Sequence, residues 1–250
     1  AEYMLDYPDS KGKQCYFFQH YETWSGPKEI VDATWRMPFK KIVISKWLKN
    51  IGESLGATEM HYIPNGLDFS HFRLITSIEN RPKRISMMFS DAEWKGGKEG
   101  LSALLIAKEK FPELKAILWG VGKRPSEIPK WIEFIQNPGQ EDVLVKDIYN
   151  NSSIFLCSSH VEGFALPPAE AMACGCAVVT TDCGGVLDFA EHEITALVSA
   201  PKNVEALANN LCRLLGSDDL RKQIARVGLN NIKKLSWERS VDLMERFIQA

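Results

Sequence analysis

Two carboxylates, Glu162 and Glu170, stand eight positions apart in the run VEGFALPPAEAMACGC, residues 161–176. A carboxylate that accepts from two neighbouring hydroxyls reads a vicinal diol such as a ribose, and a second carboxylate one loop away can hold another polyol. Between them, Gly163 permits a tight turn and close approach of a ligand. The successive amides of Gly163, Phe164 and Ala165 can converge on one acceptor, as anion-binding nests do. Pro167 and Pro168 suit a first helical turn, because their missing N–H groups have no helical partner there. This places Glu170 in that first turn, on the same rim as Glu162. Two glutamates at this spacing are commonplace, and a first-turn acid favours its helix without any ligand. The whole string, at the end of an apolar strand, points to a site for a molecule with a sugar at each end and an anion between.

The elements that must position these groups are legible in the hydrophobic pattern. IFLC (154–157) reads as the strand that delivers SSHVEGFAL to its carboxyl edge, where open parallel α/β sheets bind ligands. Further strands are expected at 84–89 (RISMMF), 115–119 (KAILW), 177–180 (AVVT) and 195–198 (TALV). Helical periodicity covers 98–111, 168–174 and 203–215, with Val204, Leu207, Ala208, Leu211 and Leu215 on one stripe. Several strands are continuously apolar, as expected when helices cover both faces of a parallel sheet. The fold class is therefore α/β, doubly wound and Rossmann-like.

Upstream, QCYFF (14–18) and KIVIS (41–45) are strand-like, and Ser45 is placed to cap a helix over 46–55 that ends at Gly56. Pro64-Asn65-Gly66 is a turn signal. Two strands with little helical cover look like the end of a second α/β layer. Ser217 is expected to cap a helix opened by Asp218 and Asp219, and a last helix starts at Ser236.

The gross properties exclude several classes. A formal charge of −2 over 250 residues gives no footprint for nucleic acid. No run is long and apolar enough to span a bilayer, so membrane contact is at most peripheral, and the cytoplasm or the inner face of a membrane is the expected location. The six cysteines follow neither a disulfide nor a zinc spacing and read as buried thiols. There is no Asp-x-Asp pair, and Glu191-His192-Glu193 reads as a solvated loop, so no metal is expected.

The run EGFALPPAEAMACG resembles the E-x7-E signature of retaining glycosyltransferases of the GT-B fold, specifically glycosyltransferase family 4. IPNGLDFSHF, WKGGKEGLSALLIA, DIYNNSSIFLCSS, VVTTDCGG and LSWERS are similar to other segments of that family, in order from about residue 40 onward. The resemblance implies transfer of a sugar from a nucleotide diphosphate donor to a hydroxyl with retention and without a metal or other cofactor. It assigns residues 1–75 to the end of an acceptor domain plus linker, 76–235 to the donor-binding domain and 236–250 to a crossover helix. Glu162 would hold the donor sugar and Glu170 the ribose. The amides of Gly163, Phe164, Ala165 and Leu166 would meet sugar and phosphate, and Lys95 would neutralise the diphosphate. The base would lie near Gln136, Asn137 and Pro138. The acceptor would be a glycan, a lipid-linked saccharide or a protein.

Three departures from the family pattern stand out. MMFSDAEW carries serine and aspartate where an arginine is usual before the lysine. Gln19 and His20 both remain candidates for the acceptor-side histidine position. The glycine-rich loop expected from the other domain is not found, nor is most of the acceptor domain, so a truncated chain or a separate acceptor subunit is expected. A non-catalytic nucleotide-sugar-binding module is the alternative function.

Overall fold

The computed structural model describes residues 2–138 and 142–249. Two parallel sheets organise them. The first is three-stranded, in the order β1 (Cys15–Phe18), β2 (Lys40–Val43), β3 (Met60–Tyr62). The second is six-stranded: β4 (Arg84–Met88), β5 (Lys115–Gly120), β6 (Ile132–Gln136), β7 (Ile154–Cys157), β8 (Ala177–Thr181) and β9 (Ala196–Ser199), in spatial order β6-β5-β4-β7-β8-β9. The order reverses between β4 and β7, and a switch point of this kind opens a crevice at the carboxyl ends.

The second sheet is apolar on both faces because helices cover both. On one side Ile85, Met87, Ala116, Leu118, Ile154, Leu156 and Val179 join the buried residues of α3 (Gly97–Lys110), α5 (Val204–Gly216) and α6 (Asp218–Ile232). On the other, Ile117, Phe155 and Val178 pack with α4 (Leu166–Ala173) and with a π-helical turn over Val143–Tyr149. Alternate residues of each strand thus enter different cores, the period-two consequence of the pleat. The helix starts follow the cap chemistry. The side chains of Ser45, Asn203 and Ser217 accept from Leu48 N (3.2 Å), Ala206 N (3.0 Å) and Leu220 N (3.2 Å).

The first sheet corrects the sequence reading in two respects. It has a third strand, β3, too short and mixed to show a period, and besides the expected helix α2 (Lys46–Ser54) it carries an unexpected one, α1 (Lys28–Trp35). Trp35 of α1 is fully buried and stacks on Phe18 with ring centroids 3.8 Å apart. The final helix α7 (Trp237–Gln249) returns to this sheet. Phe247 packs on Ile42 and Ile63, and Ser240 Oγ donates to Pro64 O at 2.7 Å.

The sheets share one core cluster, in which Phe18, Val43 and Leu48 meet Phe164, Cys183 and Phe189. A buried polar joint reinforces it. Asp188, from the segment after β8, accepts from Lys46 N at 3.1 Å and from Tyr62 Oη at 2.7 Å, so a residue of one half caps a helix of the other. Arg81 ties down the segment before β4 by donating to Tyr149 O, Ser152 O and Asn150 Oδ1. No helix among the described residues is long and apolar enough to cross a membrane.

Candidate functional site

Segments leaving β1, β4, β7 and β8 converge at one place. After β4 the chain makes a short turn, Glu93–Lys95, and passes through Gly96 at φ 60°. A side chain at Gly96 would put Cβ 2.0 Å from Ser158 O, so only glycine lets this turn lie against the β7 loop. His160 N donates to Trp94 O at 2.7 Å, and His160 Nε2 meets Glu99 Oε1 at 3.0 Å, which pins the turn from the other side. Lys95 is thereby delivered to Glu162, with Nζ 2.7 Å from Oε1. Ser159 Oγ donates to the same oxygen at 2.8 Å.

The segment after β8 fixes the backbone of this loop. Glu162 N donates to Cys183 O at 2.7 Å, and Gly185 N donates to Glu162 O at 3.0 Å. From the first sheet, Gln19 O lies where a Cβ on Gly163 would stand, at 1.9 Å, so the absent side chain lets the halves meet. Ala165 then turns left-handed (φ 72°, ψ 72°) and α4 begins at Leu166. The amides of Gly163, Phe164, Ala165 and Leu166 have no hydrogen-bond partner among the described residues. Gly163, Phe164 and Ala165 are buried, and buried donors of this kind normally find a partner. Leu166 is partly exposed, whereas the Phe164 ring sits in the core near Phe189.

His20 stands on the first-sheet side of this cluster. Its Nδ1 is buried without a hydrogen-bond partner among the described residues, and its ring is edge-on to Trp24 at 4.5 Å and to Trp47 at 6.0 Å. Burial lowers its pKa, with the charge of Glu162 acting in the opposite direction.

Beside Lys95, a cavity of about 450 Å³ opens at the carboxyl ends of β4, β5 and β6, lined by Met88, Ser90, Asp91, Trp119, Val121 and Phe134 among others. A larger cavity, about 690 Å³, lies at the amino ends of β1 and β2 and holds none of the candidate residues.

One expectation is corrected here. Glu170 is not in the first turn of its helix: α4 starts at Leu166, the prolines fill the first turn, and Glu170 comes after it. Its carboxylate accepts from Tyr149 Oη at 2.9 Å, and burial raises its pKa. Asn137 has left-handed φ (46°) and Oδ1 accepts from Gly122 N at 3.1 Å, so its side chain holds the loop after β5. Of the described residues, neither Glu170, Asn137 nor Pro138 lines the cavity beside Lys95. The structure brings together Lys95, Glu162, the 163–166 amides and His20.

Several contributors had no signal in the residue pattern. Ser159 shares Glu162 with Lys95, and Asp188 joins the halves. Trp24 and Trp94 stack across the opening. Glu193 of the acidic loop is explained by its ion pair with Arg213, at 2.6 Å.

Residues 71–230 match the family model described as glycosyl transferases group 1. The chain belongs to this family. Among its relatives is an N,N'-diacetylbacillosaminyl-diphospho-undecaprenol alpha-1,3-N-acetylgalactosaminyltransferase of Campylobacter jejuni, 28% identical over 183 residues, covering 69% of this chain and 47% of that protein. Another is an O-antigen chain mannosyltransferase B of Escherichia coli, 32% identical over 123 residues, covering 49% of this chain and 31% of that protein. The chain thus spans less than half the length of either relative. Among solved structures, sucrose-phosphate synthase of Thermosynechococcus elongatus superposes with a TM-score of 0.81 at 19% identity, over 99% of this chain and 69% of that one. HepE of Anabaena, solved with UDP-glucose, superposes with a TM-score of 0.78 at 16% identity, over 96% of this chain and 73% of that one. The group 1 chain has the GT-B glycosyltransferase fold shared by these structures.

Proposed function

We propose that this group 1 chain binds a nucleotide diphosphate-sugar and transfers the sugar, with retention of configuration, to a hydroxyl of a glycan or lipid-linked acceptor. One observation carries the reading: a run of amides at the start of α4, unpartnered among the described residues and buried at Gly163, Phe164 and Ala165, lies next to a Lys95–Glu162 pair at the carboxyl rim of a parallel sheet. Amides and an ammonium group are positioned for a diphosphate whose charge grows as the glycosidic bond breaks. Glu162, released from Lys95 when the phosphates take the cation, accepts from hydroxyls of the departing sugar. The cavity lined by Trp119 and Phe134 takes the base, next to the Asn137 turn, whose amide donates to Gly120 O on the cavity wall. Positive charge comes from the protein itself in this reading, so no metal is required. HepE, of the same fold, was solved with UDP-glucose, which fits this class of donor.

The acceptor hydroxyl enters from the first sheet, on the His20 side, and attacks the face from which the diphosphate departs. The leaving phosphate oxygen takes the hydroxyl proton, which leaves His20 as an orienting group. In domain terms, residues 1–75 supply the acceptor side, 76–235 the donor side, and 236–250 return to the first.

The test is to offer the chain UDP-, GDP- and ADP-sugars with glycerol as a simple hydroxyl acceptor and to follow the anomeric proton of the product. The expected result is consumption of one donor class and a glycoside with the donor's own anomeric configuration. An inverted product would refute retention, and neither binding nor consumption of any donor would refute the transferase reading.

A further inference from the structure

Trp24 and Trp94 are large apolar side chains left 56% and 45% exposed, one from each half of the molecule. Their rings are parallel to within 5°, with centroids 5.9 Å apart. Trp24 belongs to the turn after β1, which is otherwise held by short local bonds, Thr23 N to Tyr21 O and Ser25 N to Glu22 O, both 2.9 Å. The other ring it meets among the described residues is that of His20, edge-on at 4.5 Å. Trp94 directly precedes Lys95, and its carbonyl accepts from His160 in the loop that carries Glu162. A row His20–Trp24–Trp94 therefore crosses the opening. One end is the histidine of the first sheet, and the other is the turn that delivers Lys95.

We propose that Trp24 is a positioning residue for transfer: stacked on Trp94 and against His20, its ring fixes the spacing between the end of β1 and the Lys95–Glu162 pair. This rests on the glycosyl-transfer reading above. The physical case is one of division of labour. Every group assigned to the diphosphate lies in the six-stranded half, so nucleotide binding does not need Trp24. Transfer needs an acceptor hydroxyl held from the first-sheet side within bonding distance of the sugar carbon, and small misplacements there are costly. Parallel aromatic pairs add modest attraction beyond their buried area, enough to set a loop but not to hold a fold. Loss of the ring should accordingly change turnover more than stability.

The experiment compares Trp24→Ala, Trp94→Ala, the double variant and Trp24→Phe with the parent chain, using whichever nucleotide sugar the parent consumes. In Trp24→Ala, kcat is expected to fall about ten- to a hundredfold, while the dissociation constant of the nucleotide diphosphate stays within about twofold. Trp24→Phe should recover most of the rate. The double variant should be no worse than the weaker single variant, because both remove the same stack. The imidazole of His20, which faces Glu162 and Glu22, should titrate higher by NMR in Trp24→Ala as its burial is lost. A kcat within about twofold of the parent in Trp24→Ala, or a loss of diphosphate binding as large as the loss of rate, would overturn the proposal. If the parent consumes no nucleotide sugar, the transferase reading fails instead. The His20 titration then decides alone, and an unchanged value in both alanine variants overturns the row.

Discussion

The two halves bring different chemistry to the same opening. The six-stranded half supplies charge and bare backbone amides: Lys95, Glu162 and the 163–166 run, all at strand ends braced by the segment after β8. The three-stranded half supplies rings and a backbone carbonyl: His20, Trp24, Trp47 and Gln19 O. On the proposed reading, charge stands where an anion is held, and rings stand where an uncharged hydroxyl is oriented. On that same reading, the difference makes the halves separable in binding but not in turnover. Substitutions can divide them.

The largest expected effect is on the charged side. Lys95→Ala should lower turnover by roughly 10²–10³-fold in a steady-state assay, the usual cost of removing one preorganised donor from a growing negative charge. Melting temperature should hardly move, because Lys95 is partly exposed and its only ion pair among the described residues is with Glu162. A variant with near-parental turnover would erase the division between the halves.

That side was also the legible one. Continuous apolar strands, the proline pair and the glycine in EGFALPP announce the loop and helix without tertiary information, because local sterics dictate them. Which way Glu170 points was not legible. The left-handed Ala165 starts α4 earlier than the prolines imply and turns the carboxylate toward Tyr149. In the other half, β3 shows no period because it is only three residues long, and α1 is opened by Pro27 with no side-chain cap. Contacts such as Trp24–Trp94 and Asp188–Lys46 join residues 70 and 142 positions apart, so no local pattern encodes them.

A middle-sized effect lies at the joint. Asp188→Ala removes the acceptor for Lys46 N and Tyr62 Oη, both partly buried, and should destabilise the chain by about 1–3 kcal/mol in thermal melts. The same variant should loosen the first half relative to the second, so turnover should fall further than diphosphate affinity. Equal losses of both would show that the halves cannot be divided here.

The smallest effect concerns Glu170. Burial raises its pKa in the folded chain above the ordinary glutamate value, so the folded state holds its proton more tightly than the unfolded one. Its contribution to stability is therefore fully present below about pH 4 and is lost as pH rises through the folded pKa. Glu170→Gln, which still accepts from Tyr149 Oη, should melt slightly higher than the parent at pH 7 and alike at pH 4. A difference that grows toward low pH would contradict the burial argument.

The central claim, that Lys95 and the 163–166 amides hold a diphosphate, is met most directly by calorimetry. The parent and Lys95→Ala would be titrated with UDP, GDP and ADP and with the corresponding nucleosides. For the base that binds, the parent should favour the diphosphate over the nucleoside by about tenfold or more, and that preference should largely vanish in Lys95→Ala. A preference of the same size in both proteins would place the diphosphate elsewhere and contradict the account.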